Sequence, residues 1–253
     1  MKSASHRGQH KSRRRAILVF LLPLQLLLLL AAPRLATAAA QPPDPSAVVG
    51  RIDAAVARRV AHVLGFTDVE HYAVYRGRDQ THPIAEMTVR DTYKEGVGKQ
   101  YTILSERGSS LVLRFGLLPL LTKETAINQP GQVQNSWFTT ANYAMKLVPG
   151  GVVESNGRPC NVLRIQPWRK APNRIAGTLW ADARDGTLVQ IDGVASERPS
   201  VFAGVTHMMR QYTNIDGFAM ATHARAETHS LFAGRIVVRV DYSDYHLQLS
   251  AKP

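Results

Sequence analysis

Few residues beyond position 40 are spaced for catalysis. Seven histidines stand there: His62, His71, His82, His207, His223, His229 and His246. None falls in an H-x-x-x-H or H-x-E pattern. His223, Arg225, Glu227 and His229 alternate with Ala224, Ala226 and Thr228, so they share one face of a strand. His223 and His229 then lie about 20 Å apart, too far to share a metal. The polar face reads as a wet outer surface, and the small face as the floor under a helix or beside a cavity. Gly108-Ser109-Ser110 lacks the G-x-S-x-G elbow and reads as a turn. Asp182 and Asp185 flank a glycine-containing hairpin and read as turn residues. Cys160 is the only cysteine, so an intrachain disulfide is excluded, and it reads as a small buried hydrophobe. Neither a phosphate-binding loop nor a dinucleotide fingerprint occurs. No catalytic residue, metal or cofactor is expected.

The elements that would carry a binding site are clearer. Ser46–Leu64 repeats apolar residues at three- and four-residue spacing: Val48, Val49, Ile52, Ala55, Val56, Val60 and Val63. Ser46 caps this helix and Gly65 stops it. Strands follow at 72–76, 85–94, 100–106 and 111–115, with period-two alternation. The last three form an antiparallel meander. Gly116–Ile127 packs Leu117, Leu118, Leu120 and Leu121 around Pro119 and reads as a short inserted helix. It is too short to span a membrane. Further strands are expected at 143–148, 160–166, 174–181, 187–194, 205–214, 218 onward and 235–249, about ten in all. The fold class is mainly β with helices (α+β). It is a strongly curved antiparallel sheet, an open half-barrel, covered by the N-terminal helix and the short inserted helix.

The first forty residues set the compartment. Lys2, Arg7, Lys11, Arg13, Arg14 and Arg15 precede an apolar run from Ala16 to Pro33. Ala36-Thr37-Ala38 and Ala38-Ala39-Ala40 supply A-x-A sites. This is the layout of a secretory signal peptide cut near Ala38 or Ala40. The alternative is an uncleaved inner-membrane anchor. Residues 41–45 form a linker, and 46–253 a single domain. The net charge of +12 overstates the basicity of what remains. Residues 1–40 carry seven Lys or Arg and no acid, leaving 24 basic against 19 acidic residues, a net of +5. No Lys/Arg block stands beside aromatic residues, so nucleic acid is not an expected partner. The residual charge is compatible with peripheral contact to an anionic membrane.

One strand pair and one single strand carry a family likeness. Gly177-Thr178-Leu179-Trp180-Ala181-Asp182 with Gly186-Thr187-Leu188-Val189, together with Ala85-Glu86-Met87-Thr88-Val89, resemble the lipoprotein carriers LolA and LolB. They are also similar to exported outer-membrane lipoprotein-sorting proteins. The resemblance implies a half-barrel closed by helices over a hydrophobic cavity, with no enzymatic activity. It implies a periplasmic carrier or sensor for lipid, lipoprotein acyl chains or another apolar ligand. The candidate lining is Met87, Val89, Ile103, Leu113, Leu117, Leu118, Leu121, Trp180, Met208 and Tyr242. The competing reading is an envelope interaction or scaffold protein with a filled core, a protein partner and no ligand.

Overall fold

The computed structural model describes residues 43–250, apart from 172, 198–203 and 232. The expected signal peptide, residues 1–40, lies outside the described residues.

Helix α1 (Pro45–His62) is capped by Asp44 and not by Ser46 as expected, a correction that places Ser46 inside the first turn. Pro45 occupies the first turn, where a missing N–H costs nothing, and the Asp44 side chain accepts the Ser46 N–H at 3.1 Å. Val48, Ile52 and Ala55 turn inward. The stop expected at Gly65 is corrected. The helix ends at His62 and the chain runs directly into β1 (Val63–Arg76), with Gly65 inside that strand. Gly65 is needed for closeness rather than for a cap, because a Cβ there would lie 2.8 Å from the Tyr93 carbonyl oxygen on the next strand.

Strands β2 (Ala85–Lys94) and β3 (Gly98–Gly108) form the expected hairpin. The strand expected at 111–115 is instead helical, a second correction. Helix α2 (Ser110–Val112) leads through a π-helical turn (Leu113–Leu117) into helix α3 (Leu118–Ile127). The Ser109 side chain caps this stretch by accepting the Val112 N–H at 3.4 Å. Pro119 lacks an N–H and its ring crowds the preceding turn, which accounts for the widened turn just before it. The apolar run Leu111-Val112-Leu113 suits a strand as well as a buried helix, and periodicity alone does not separate the two.

The remaining strands are β4 (Tyr143–Leu147), β5 (Val153–Ser155), β6 (Arg158–Pro167), β7 (Ile175–Asp182), β8 (Leu188–Ala195), β9 (His207–Ile215), β10 (Phe218–Ser230) and β11 (Gly234–Leu249). They build one antiparallel sheet in the order β3-β2-β1-β11-β10-β9-β8-β7-β6-β4, with β5 on β6. Pairing of β1 with β11 brings the first and last strands together inside the sheet. The edge strands β3 and β4 are not paired to each other, so the sheet is not closed into a barrel.

Two apolar clusters fill the inner face. Val48 and Ile52 of α1 pack on Phe138, Tyr143, Leu163, Leu179 and Ile191. Leu117 and Leu121 pack on Tyr72, Val74, Met87, Val89 and Val240. Each fully buried aliphatic side chain contributes roughly 1.5–3 kcal/mol. The β7–β8 turn meets α1 directly. Gly186 (φ +73°) sits so close to Arg51 that a Cβ would fall 2.5 Å from its backbone. Among the described residues, no helix is long and apolar enough to cross a membrane.

Candidate ligand cavity

Residues from α1, α3 and strands β1, β3, β7, β8, β9, β10 and β11 line one cavity of about 450 Å³. Strands so far apart in a single sheet can share a cavity only if the sheet curves around it. The volume lies within the roughly 300–1,000 Å³ of small-molecule sites. Much of the wall is apolar and includes Trp137, Phe138, Ile175, Met208, Phe218 and Met220. The small face of β10 forms part of the floor through Ala224 and Ala226. Helix α3 stands between the cavity and the second cluster. Leu117 and Leu121 face the packed side, while Leu120, Glu124 and Ile127 face the cavity.

Met208 and Tyr242 lie on the cavity wall. Met87, Val89, Leu117 and Leu121 are buried in the cluster behind α3, with Leu113 and Leu118 packed against it. Ile103 is exposed on β3. Trp180 alternates with the buried Leu179 and Ala181, which puts it on the other face of β7.

A buried charge cluster also belongs to the site, and sequence reasoning did not single it out. Lys99 donates to Glu70 Oε1 at 2.7 Å and to Glu124 Oε1 at 2.9 Å, and it pairs with Asp91. The Tyr72 hydroxyl lies within hydrogen-bond distance of both Glu70 and Glu124 (2.9 Å), and its single proton serves one of them at a time. Asp68 stands directly opposite Asp91 across the β1–β2 pair. It is only 2% exposed and forms no ion pair among the described residues, with the Tyr245 hydroxyl as a neighbouring donor. Oxygens of Asp68, Glu70 and Asp91 come within 4.8 Å of one another, a spacing a cation can bridge. Lys99 already places an ammonium against two of these three carboxylates.

Burial and then the Glu70 charge push the Asp68 carboxyl up to about 7. Burial and then Glu124 push Glu70 up to about 8. Asp91 is also raised, chiefly by burial. Burial opposes Glu124 too, but Lys99 outweighs it and holds that carboxyl low. The cluster therefore retains protons near neutrality. Its signal in the sequence is the alternation Phe66, Asp68, Glu70, Tyr72, Val74, which puts two acids on an otherwise apolar strand face.

The other chemically suggestive residues are structural. Asp182 accepts the Arg184 N–H at 2.8 Å and pairs with Arg158 at 2.8 Å. Burial raises its carboxyl, but these donors outweigh burial and hold it low. Asp185 accepts the Thr187 N–H at 2.9 Å within the same turn. Cys160 is buried, and burial pushes its thiol up, away from the reactive thiolate. The outward face of β10 carries a different ion cluster, in which Glu227 binds Arg225 at 2.6 Å and Arg235 at 2.5 Å.

No family model matches the chain, and no curated protein matches it. Solved structures similar to this one include the following three. One is a LolA superfamily protein from Nitrosomonas europaea, at 12% identity and TM-score 0.42, covering 83% of this chain and 94% of that one. Another is a DUF1329 family protein from Desulfovibrio piger, at 16% identity and TM-score 0.41, covering 83% and 96%. The third is an outer membrane lipoprotein-sorting protein domain from Vibrio parahaemolyticus, at 13% identity and TM-score 0.41, covering 74% and 87%. At such identities and scores these neighbours share a layout, and the site's function must be read from this chain's own residues.

Proposed function

We propose that this chain is a non-enzymatic carrier or sensor that holds a lipid, a lipoprotein acyl chain or another apolar ligand in the cavity beneath α1 and α3. The observation that carries the reading is the cavity itself, about 450 Å³ with a largely apolar wall. Each CH₂ moved from water into such a space gains about 0.8 kcal/mol, so an acyl chain needs no covalent step to be retained. A scaffold with a filled core would leave no such volume. In this reading residues 1–40 direct export to the periplasm and residues 46–253 form the binding domain. Leu111 and Phe115 are exposed four residues apart beside Arg114, which suits transient contact with an anionic lipid surface during loading.

Native mass spectrometry, on protein purified after expression of the full chain, tests this reading. A lipid-sized adduct that disappears on organic extraction is expected. Leu120→Glu puts a charge on the cavity wall, and Ala224→Trp fills the floor; each should abolish the adduct while the protein stays folded. A protein that remains free of adduct after incubation with phospholipid and lipopeptide would overturn the proposal.

A further inference from the structure

We infer that the occupant is an amphiphile with an anionic head group, carboxylate or phosphate, seated on Arg59 at the end of α1. This rests on the ligand-binding reading of the cavity and specifies which ligands it accepts. Arg59 is half-buried and lines the cavity. Its Nε is buried without a partner, and its guanidinium makes one recorded contact, to Met220 Sδ at 3.7 Å. Sulfur is a weak acceptor. Among the described residues, no carboxylate reaches Arg59 within 4.0 Å. A second guanidinium on the same wall, Arg210, also lacks a carboxylate at that distance. It lies beside Tyr242 and Tyr212 and senses the Glu124 charge from further off.

The asymmetry between the unpaired groups decides the sign of the ligand. Asp68 can become neutral by taking a proton, so it does not require a cation. Arginine cannot lose its proton in a protein, and burial disfavours the charge it must keep. The missing group at Arg59 is therefore an anion. Planar guanidinium donors suit carboxylate and phosphate oxygens. Lys99, a buried cation on this wall, is already surrounded by Glu70, Glu124 and Asp91, which leaves Arg59 to seat the head group. Phe218, Met220 and Met208 offer the adjoining apolar wall for the tail.

Isothermal titration of delipidated protein, prepared by expressing the full chain, tests the inference. The probes are dodecanoate, monododecyl phosphate, dodecanol and dodecylamine, which share one tail. At least one of the two anions should bind about tenfold or more tightly than dodecanol and dodecylamine, as expected for a charge-assisted pair. Whichever anion wins identifies the head group as carboxylate or phosphate. Arg59→Met should bring the anions down to the dodecanol level without weakening dodecanol, and Arg59→Lys should keep part of the preference. Equal binding of all four, or preference for the amine, would overturn the head-group inference and leave the cavity reading standing. No binding of any probe would overturn both. If Arg59→Met fails to fold, the ranking on the unmutated protein decides alone.

Discussion

Among the described residues, two ion clusters of opposite composition lie one on each face of the sheet. Inside, Lys99 faces Glu70, Asp91 and Glu124, with Asp68 close by. Outside, Glu227 faces Arg225 and Arg235. The contacts are of similar length, but the surroundings differ. The inner carboxylates of Asp68, Glu70 and Asp91 are almost wholly buried, whereas water reaches the outer cluster. Their carboxyl groups consequently move in opposite directions. Burial lifts Glu70 to about 8, while hydrogen bonds from Arg235 bring Glu227 down to about 2. Length of contact is therefore a poor guide to what a charge pair contributes, because desolvation opposes the inner cluster and hardly touches the outer one.

Removing the inner cation is the most damaging way to break this comparison. Lys99→Met leaves a group of carboxylates buried around an apolar chain. Breaking a buried ion cluster by deleting one partner costs about 3–5 kcal/mol. Urea unfolding at pH 7.5 should show a loss of that size, with partial recovery at pH 5, where the carboxyls are protonated. A loss below about 1 kcal/mol would mean that the inner cluster is as solvated as the outer one.

Asp68 sharpens the comparison through pH. Its folded value of about 7 lies above its ordinary value of 3.8. The folded state therefore binds more protons than the unfolded state between about pH 4 and 7. Stability is complete below that window and falls as pH rises through it. Glu70 acts in the same sense, up to about 8. Asp68 faces Glu70 on its own strand, Asp91 on β2, Lys99 on β3, Glu124 on α3 and Tyr245 on β11. Asp68→Asn removes one of these ionisations. Melting temperature should rise by roughly 5 °C at pH 8 and by almost nothing at pH 4.5. An equal shift at both values would place Asp68 in contact with water.

The shared face of Arg225 and Glu227 was legible in the sequence, whereas of the inner cluster only the Asp68 and Glu70 alternation leaves a signal there, for a geometric reason. Arg225 and Glu227 alternate along a single strand, so their common face follows from period two. Asp68, Asp91 and Lys99 come from three strands and meet only after β1, β2 and β3 have chosen their register. Asp91 and Lys99 alone look like ordinary surface charges, and the Asp68 and Glu70 alternation names no partner. Helix α1 was legible because its apolar spacing is long and regular. The segment 111–115 was not, because five apolar-rich residues fit either period, and the choice is made by Pro119 and by packing against Met87 and Val89. Met208 and Tyr242 were named from the sequence, while the wall contributed by α3 did not stand out, for a related reason. Leu117 and Leu121 are as apolar as Leu120, and only the rotation of α3 decides that Leu120 faces the cavity.

The smallest expected effect lies on the outer face. Glu227→Gln removes the anion that Arg225 and Arg235 share, but both guanidiniums remain solvated and about a third exposed. Exposed pairs typically contribute about 0.2–1 kcal/mol. The folded value of Glu227, about 2, lies below its ordinary 4.5, so its contribution is present above pH 4.5 and fades as pH falls toward 2. The substitution should lower stability by about 0.5 kcal/mol at pH 7 and 50 mM salt. The difference should shrink at 1 M salt, where the screening length falls to about 3 Å. It should also have the opposite pH dependence to Asp68→Asn, appearing with rising pH as a loss where the inner substitution appears as a gain. A loss at pH 7 that persisted unchanged at 1 M salt would show that the outer cluster is shielded from solvent after all, and the contrast between the two faces would disappear.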